Sequence, residues 1–416
     1  MNRKSDILVV GSGLAGMTAA LTAAASGKSV TLLCYGAGSL SISSDCIDVL
    51  GYFGGERTKE PFTVMERLPE EHPYRKIGTQ AVKTALEWFE KFCAGAGLDL
   101  HKPAEGEGNH ELITVMGTTK PSWLCPDSHD AACIRDAKHI AVFTVENMKD
   151  VHPRLIIDQL KHYPFLADKD FQGFTLPCPI KDARRNITPL DIARYVDKPD
   201  GLRWLHENLE AFAGKFDVFL LPPICGMELA QNVWKKLSTE LNVRIVEMIS
   251  IPPAVSGLRL YDVLRKSLNQ KGVYLAENVQ ILSADVEQGK CRALYSEEGQ
   301  RWEADEFVIA TGGLLSGGIS TEPGKAWESI FHIPLNVPAD IEAWSSPDIF
   351  GSSLFARMGV SVGGDLRPLD EGGAILLKNV RFAGRVLGGY DFALEKSGHG
   401  VALATGWLAG TLAGKE

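Results

Sequence analysis

The sequence predicts a Rossmann-like α/β fold interrupted by a second, inserted α/β domain. Three glycine-rich stretches predict it. Gly11-Ser12-Gly13-Leu14-Ala15-Gly16 directly follows the apolar run Ile7-Leu8-Val9-Val10. Ala310-Thr311-Gly312-Gly313 closes the run Phe307-Val308-Ile309. Gly384-Arg385-Val386-Leu387-Gly388-Gly389 closes Asn379-Val380-Arg381-Phe382-Ala383. Each reads as a short buried strand delivered into a turn where backbone, not side chain, faces outward.

The elements follow in order. Ile7 to Val10 is the first strand. Met17 to Ala25 is rich in helix formers, and Ser26-Gly27 stops that helix. Ser29 to Leu33 is the second strand, which completes a β–turn–α–β unit of about 30 residues. From Gly36 to Gly55 the chain is rich in Gly and Ser, as suits a loop held close to a ligand. The texture then changes, with frequent Pro, His, Trp and charge. Val82, Leu86, Phe89 and Cys93 recur at helical spacing. His139 to Thr144 and Asp217 to Leu221 read as strands, the second ended by Pro222-Pro223. Residues 56–242 are therefore expected to form the inserted domain, for substrate capping or subunit docking. Residues 1–55 and 243–416 form the discontinuous nucleotide domain. Within its second part, Leu258 to Leu268 reads as a helix, Val273 to Leu275 as a strand, and Val279 to Cys291 as strand and turn. Val401 to Leu412 is the last helix.

Composition narrows the function. The chain of 416 residues is 45% apolar and 23% charged, the balance of an ordinary globular protein. It carries 43 basic and 52 acidic residues, a net of −9, with no Lys/Arg run. That balance argues against nucleic-acid binding and against a basic lipid-binding patch. The opening Met1-Asn2-Arg3-Lys4 leads straight into a strand, and no run of about 20 apolar residues exists, so neither a leader nor a membrane helix is expected. Eight cysteines lie scattered without a Cys-x-x-Cys pair. This suits reduced thiols and argues against an iron–sulfur or zinc site held by this chain alone. Nucleophile elbows, zinc-protease motifs and phosphate loops are absent from the sequence.

The glycines carry the chemistry. Gly11 permits a tight turn, Gly13 lets backbone approach a pyrophosphate, and Gly16 lets helix and strand pack closely. The helix start then offers N–H groups and partial positive charge to phosphates. This fingerprint suggests FAD. One element departs from it. The carboxylate expected at the end of the second strand, for the adenosine ribose, is replaced by Cys34. Thr311, Gly312 and Gly313 match the place where a flavoprotein chain passes under the adenosine diphosphate. Gly384, Gly388 and Gly389 match a C-terminal flavoprotein block that binds pyrophosphate or ribityl chain and leads to a helix facing the flavin ring. Arg385 stands where such blocks usually hold Glu, so it is either a cation for phosphate or reduced flavin, or a surface arginine. His399 opens the last helix in Ser397-Gly398-His399-Gly400. The expected class is a FAD/NAD(P)-binding flavoprotein fold.

Further runs resemble one family. They are Ser43 to Leu50, with Ser43 and Ser44 in a flavin loop; His72-Pro73-Tyr74; Gly117-Thr118 with Pro121-Ser122-Trp123-Leu124; Asn186 to Arg194; and Pro252 to Leu260. With the terminal glycine motifs they resemble the B-subunit family of anaerobic glycerol-3-phosphate dehydrogenase over nearly the whole chain. The resemblance implies a complex that oxidises sn-glycerol 3-phosphate to dihydroxyacetone phosphate by hydride transfer to flavin and feeds the quinone pool during growth on fumarate or nitrate. It implies two partners. One is a second flavoprotein, the A subunit; the other is an iron–sulfur protein, the C subunit, which holds the complex to the inner face of the membrane. The resemblance also implies FMN here, which carries no adenosine ribose and so does not need the carboxylate that Cys34 replaces. Arg259 and Arg385 are the candidates to hold substrate phosphate, with a salt-bridged structural residue the alternative for Arg259; His399 is the candidate base, with a structural or exposed histidine the alternative. The alternative is a catalytically silent subunit with a flavoprotein fold that supports a catalytic partner. A stand-alone dehydrogenase of the fumarate-reductase type would need a dense Arg/His cluster in the inserted domain, and none is legible there.

Overall fold

The computed structural model describes residues 3–180, 186–335, 337–348, 351 and 353–416. The opening Met1-Asn2 and residues 181–185 of the expected insertion lie outside the described residues. The chain forms two compact units.

The first unit comprises residues 1–39, 48–91 and 264–416. Its sheet has seven strands. Tyr274–Glu277, Val30–Cys34, Arg3–Val10 and Arg301–Ile309 run parallel side by side. Lys290–Ser296 and Ile281–Glu287 extend the sheet as an antiparallel hairpin. Val380–Phe382 pairs in parallel with the far end of Arg301–Ile309. The central strands are near-continuous apolar runs because both faces are covered, as Ile7, Val9 and Leu32 show by being fully buried. The turns at Gly11, Ala310 and Ala383 therefore leave the same carboxyl edge of the sheet, where doubly wound folds bind ligands.

Helix Leu14–Ala24 joins the first two strands, and Gly398–Lys415 packs along it. That contact works only with small residues. A Cβ on Gly406 would overlap the carbonyl of Ala15, and one on Gly410 the carbonyl of Ala19. The terminal helix starts earlier than its apolar run predicts, at Gly398. Tertiary packing overrides the poor helix propensity of Gly398 and Gly400. Arg381, almost fully buried, is neutralised by Glu306 at 2.5 Å and Glu416 at 3.0 Å.

The second unit comprises residues 40–47 and 92–263. Four parallel strands run in the order Asp170–Leu176, His139–Val145, Val218–Leu221, Arg244–Glu247. Helices Pro153–Leu160, Pro189–Val196, Pro199–Glu210 and Val233–Glu240 bury one face each around Phe143, Phe219 and Leu237.

The unit borders differ from residues 56 and 242. The segment before Lys91 stays with the first unit because Tyr74 Oη donates to Val49 O at 2.8 Å and His72 meets Glu395 at 3.1 Å. Residues 243–263 join the second unit because Arg244–Glu247 is an edge strand of its sheet.

Gly410→Val inserts atoms into the backbone of the neighbouring helix and should lower the unfolding free energy by about 1–3 kcal/mol. Gly95→Ala, whose Cβ meets open space, serves as the control. Urea unfolding of both variants checks this.

Candidate functional site

Gly11 makes the tight turn and Gly16 the close packing that their spacing predicts. Gly11 adopts φ +106°, and a Cβ there would overlap the carbonyl of Ala310. A Cβ on Gly16 would overlap the carbonyl of Gly11, so the helix starts hard against the strand end. Gly13 is the N-cap and makes no side-chain capping bond. A Cβ on it would meet nothing within 4 Å, and the first turn holds no acidic residue. The first-turn N–H groups thus receive no side-chain cap, and the end of the helix is suited to an anion.

The second and third glycine stretches converge on this edge. Gly312 takes φ +84°, and a Cβ on Gly313 would lie 3.0 Å from Arg385 Cγ. Gly384 takes φ +78°, its N–H donates to Thr405 Oγ1 at 2.9 Å, and its Cβ would lie 2.7 Å from Ala15 Cβ. Gly388 and Gly389 pack instead against the backbone of Gly359 and Glu71. They shape the loop beyond. Thr311 Oγ1 is buried and has no hydrogen-bond partner among the described residues.

The candidate polar side chains are placed differently. Arg385 donates to the carbonyls of Ala356 at 2.5 Å and Met358 at 3.2 Å, with its guanidinium over Tyr390 and Phe392. It braces this loop by hydrogen bonding and cation–π contact. His399 is 13% exposed, with Nδ1 at 3.8 Å from Asp48 Oδ1. The N–H of Gly400 donates to Asp48 O, so part of this helix start is already capped by protein. Ser43 and Ser44 belong to the second unit, where Lys120 Nζ lies 3.5 Å from Ser44 Oγ and Gly257 packs against Ser43 O.

Arg259 also belongs to the second unit, and of its two expected roles its surroundings match the salt-bridged structural residue and not the free phosphate-binding cation. It is 4% exposed. Its guanidinium donates to both carboxylate oxygens of Glu247, at 2.6 and 3.1 Å, and twice to Gly226 O. Burial alone would push the Glu247 carboxyl up, but Arg259 outweighs it and holds the carboxyl below its ordinary value. Beside this pair, burial opposes the charges of Asp45 and His129, yet each sustains the other across 3.3 Å. His129 Nδ1 also donates to Glu247 O at 2.6 Å. Sequence spacing gave no sign of this buried network, since its members lie on four separate segments. The same holds for His101, His110 and Cys125, whose ligand atoms lie within 4.8 Å of one another.

The residues present fit a flavin dinucleotide at the diphosphate. The Gly13 helix start and the orphaned Thr311 hydroxyl supply donors that protein side chains leave unpaired. At the ribose end, burial pushes the Cys34 thiol up, so it is neutral. Its register partner on the adjacent strand is Glu277, exposed and paired with Arg265 at 2.5 Å. A carboxylate is thus present one strand away from its usual place.

A family model described as an FAD binding domain matches residues 6–401. Together with the crevice this defines the class as a flavin-dependent oxidoreductase. The B subunit of a probable anaerobic glycerol-3-phosphate dehydrogenase from Halobacterium salinarum is 34% identical, covering 99% of this chain and 98% of the relative. The corresponding B subunit from Vibrio cholerae serotype O1 is 29% identical, covering 97% of this chain and 95% of the relative. The chain belongs to the B-subunit family of anaerobic glycerol-3-phosphate dehydrogenase. It is also similar to the solved 3-ketosteroid Δ1-dehydrogenase of Sterolibacterium denitrificans, at 11% identity and a TM-score of 0.45 over 99% of each chain. Among the described residues no helix is long and apolar enough to cross a membrane.

Glu247→Ala leaves the Arg259 charge buried and unpaired, and should cost about 3–5 kcal/mol of stability. The double variant Glu247→Leu/Arg259→Met should recover most of that loss, which chemical denaturation measures. A second test concerns Glu328, near the loop after Gly313. Burial raises its carboxyl to about 7, against two backbone N–H bonds that lower it. This folded value lies above the ordinary 4.5, so the contribution is fully present below 4.5 and is lost as pH rises through about 7. The stability difference between the wild type and Glu328→Gln should therefore shift against the wild type over that window, by up to about 1.4 kcal/mol per pH unit.

Proposed function

We propose that this chain is the flavin-carrying B subunit of a complex that oxidises sn-glycerol 3-phosphate to dihydroxyacetone phosphate and passes the electrons to the quinone pool. The single observation that carries this reading is the near full-length match to B-subunit relatives, joined to an intact crevice of three glycine stretches. The bound flavin supplies a two-electron acceptor. The chain's own residues supply position and field. Gly11, Gly13 and Gly16 present the helix start to the diphosphate. Thr311 offers its buried hydroxyl, and Gly312 and Gly313 keep that wall free of side chains. Glu277 takes the ribose in place of Cys34, so the cofactor is FAD rather than FMN. His399, beside Asp48, is the group assigned to take the hydroxyl proton. The A subunit is the second flavoprotein. The C subunit holds the iron–sulfur clusters and ties the complex to the inner face of the membrane.

One observation favours the second reading, a catalytically silent subunit. Neither arginine offered for the substrate phosphate is uncommitted, since Arg259 is neutralised by Glu247 and Arg385 is spent on two carbonyls and two rings. In the silent-subunit reading the substrate is held by the flavoprotein partner.

Flavin content separates the readings. The purified chain should show a flavin absorbance spectrum, and acid release followed by chromatography should return FAD. Glu277→Ala should cut retained FAD at least tenfold while leaving FMN binding unchanged. No flavin after reconstitution with either cofactor would leave the silent-subunit reading standing.

A further inference from the structure

A second constellation lies in the other unit, away from every glycine motif in sequence. Strand Leu100–His101 pairs antiparallel with Cys125–Pro126, and His101 and Cys125 are direct cross-strand partners. His110 opens strand His110–Ile113. Asp130 follows the short turn Asp127–His129. Chain segments far apart in spacing thus deliver two imidazoles, a thiol and a carboxylate to one place. The ligand atoms of His101, His110 and Cys125 all lie within 4.8 Å of one another.

The hydrogen bonds orient these groups. His101 Nδ1 lies 3.1 Å from Asp127 Oδ1, and its Nε2 lies 3.3 Å from Asp130 Oδ2. His110 Nε2 lies 3.2 Å from His101 O, and its Nδ1 lies 3.6 Å from Asp130 Oδ1. In each ring one nitrogen is engaged by a carboxylate or carbonyl, the contact that fixes the tautomer of a metal-binding histidine. In each ring the other nitrogen turns to Asp130. Metal–nitrogen and metal–oxygen bonds of about 2.0–2.2 Å give a tetrahedron with edges of about 3.3–3.6 Å. The nitrogen–oxygen separations, 3.3 Å from His101 to Oδ2 and 3.6 Å from His110 to Oδ1, end on different oxygens of Asp130, each at the length of such an edge. Asp130 Oδ1 already accepts from Ala132 N–H at 2.9 Å, and its 3.6 Å separation from His110 Nδ1 is too long for a hydrogen bond. Cys125 is fully buried and His110 nearly so, while His101 is a third exposed and leaves a path inward.

We propose that His101, His110, Cys125 and Asp130 bind one divalent transition metal ion, with zinc the best fit to this donor set. Two imidazoles, one thiolate and one carboxylate suit a borderline-soft ion in four-coordination. With four protein ligands the site is closed, so its role is to tie residues 100–130 together, and binding releases the thiol proton of Cys125 to solvent.

The test uses the full-length chain, untagged, reduced, stripped with a chelator and titrated with Co2+ as the spectroscopic probe. One equivalent should bind with a near-ultraviolet thiolate-to-cobalt charge-transfer band and intense visible bands of four-coordinate cobalt, and Zn2+ should displace it. Cys125→Ser should remove the charge-transfer band, and His110→Asn should weaken Co2+ at least tenfold. Cys34→Ser should change neither. Circular dichroism reports whether each variant folds, and His110→Asn carries the mutational arm if Cys125→Ser does not. A wild-type chain that shows no cobalt band, or a band that survives Cys125→Ser, would overturn the proposal.

Discussion

Backbone meets backbone at the start of the first helix, and the nucleotide unit is arranged around that contact. Gly16 lies against the carbonyl of Gly11, and Gly11 against that of Ala310. A methyl group at either place would push the helix off the strand ends. The same closeness continues along the helix, where Gly406 and Gly410 of the last helix lie against Ala15 and Ala19. Helix, first strand and the strand before Thr311 are thereby locked to one another at backbone contact distance. The helix N-terminus then points at the carboxyl edge of the sheet and leaves main-chain donors there suited to an anion. The buried Thr311 hydroxyl and the Glu277 carboxylate beside Cys34 lie at the margins of that edge.

Both units take charges inside and answer them there, as Arg381 with Glu306 and Glu416 shows in the first. In the second, Glu247 and Arg259 satisfy each other, and Asp45 and His129 lie alongside. Such a pair adds little net stability, but loss of either partner is costly. In the first unit, the fingerprint helix carries no acid in its first turn and no basic residue in its last, and Arg385 is held by neutral carbonyls and rings. That crevice is accordingly polar through its backbone, which suits a cofactor diphosphate better than it suits a small phosphorylated substrate.

The glycine stretches were legible because glycine in a strand-to-turn position has one physical meaning, the need for close approach or positive φ. Strand and helix periods were legible for the same kind of local reason. Val30–Cys34, His139–Val145 and Val218–Leu221 fall within a residue or two of their apolar runs. The borders of the insertion were not legible. They depend on which distant strand Arg244–Glu247 pairs with, and on Tyr74 reaching Val49 and Ser397, whose carbonyl lies 3.5 Å from its hydroxyl. The two readings of Arg259, phosphate-binding cation or salt-bridged structural residue, stayed open because a lone arginine in sequence carries no sign of its counter-ion. Its Glu247 stands on the preceding strand and could equally have faced solvent.

By itself the sequence determined the class of fold, the dinucleotide crevice and the family, since these rest on short-range patterns and on residue types that only one backbone geometry requires. Tertiary structure decided which charges remain available for chemistry. It neutralised Arg259, braced Arg385, set Glu277 beside Cys34 and gathered His101, His110, Cys125 and Asp130. Each of these depends on strand register and loop return, and a side chain's electrostatic role is set by neighbours that are close in space and distant along the chain.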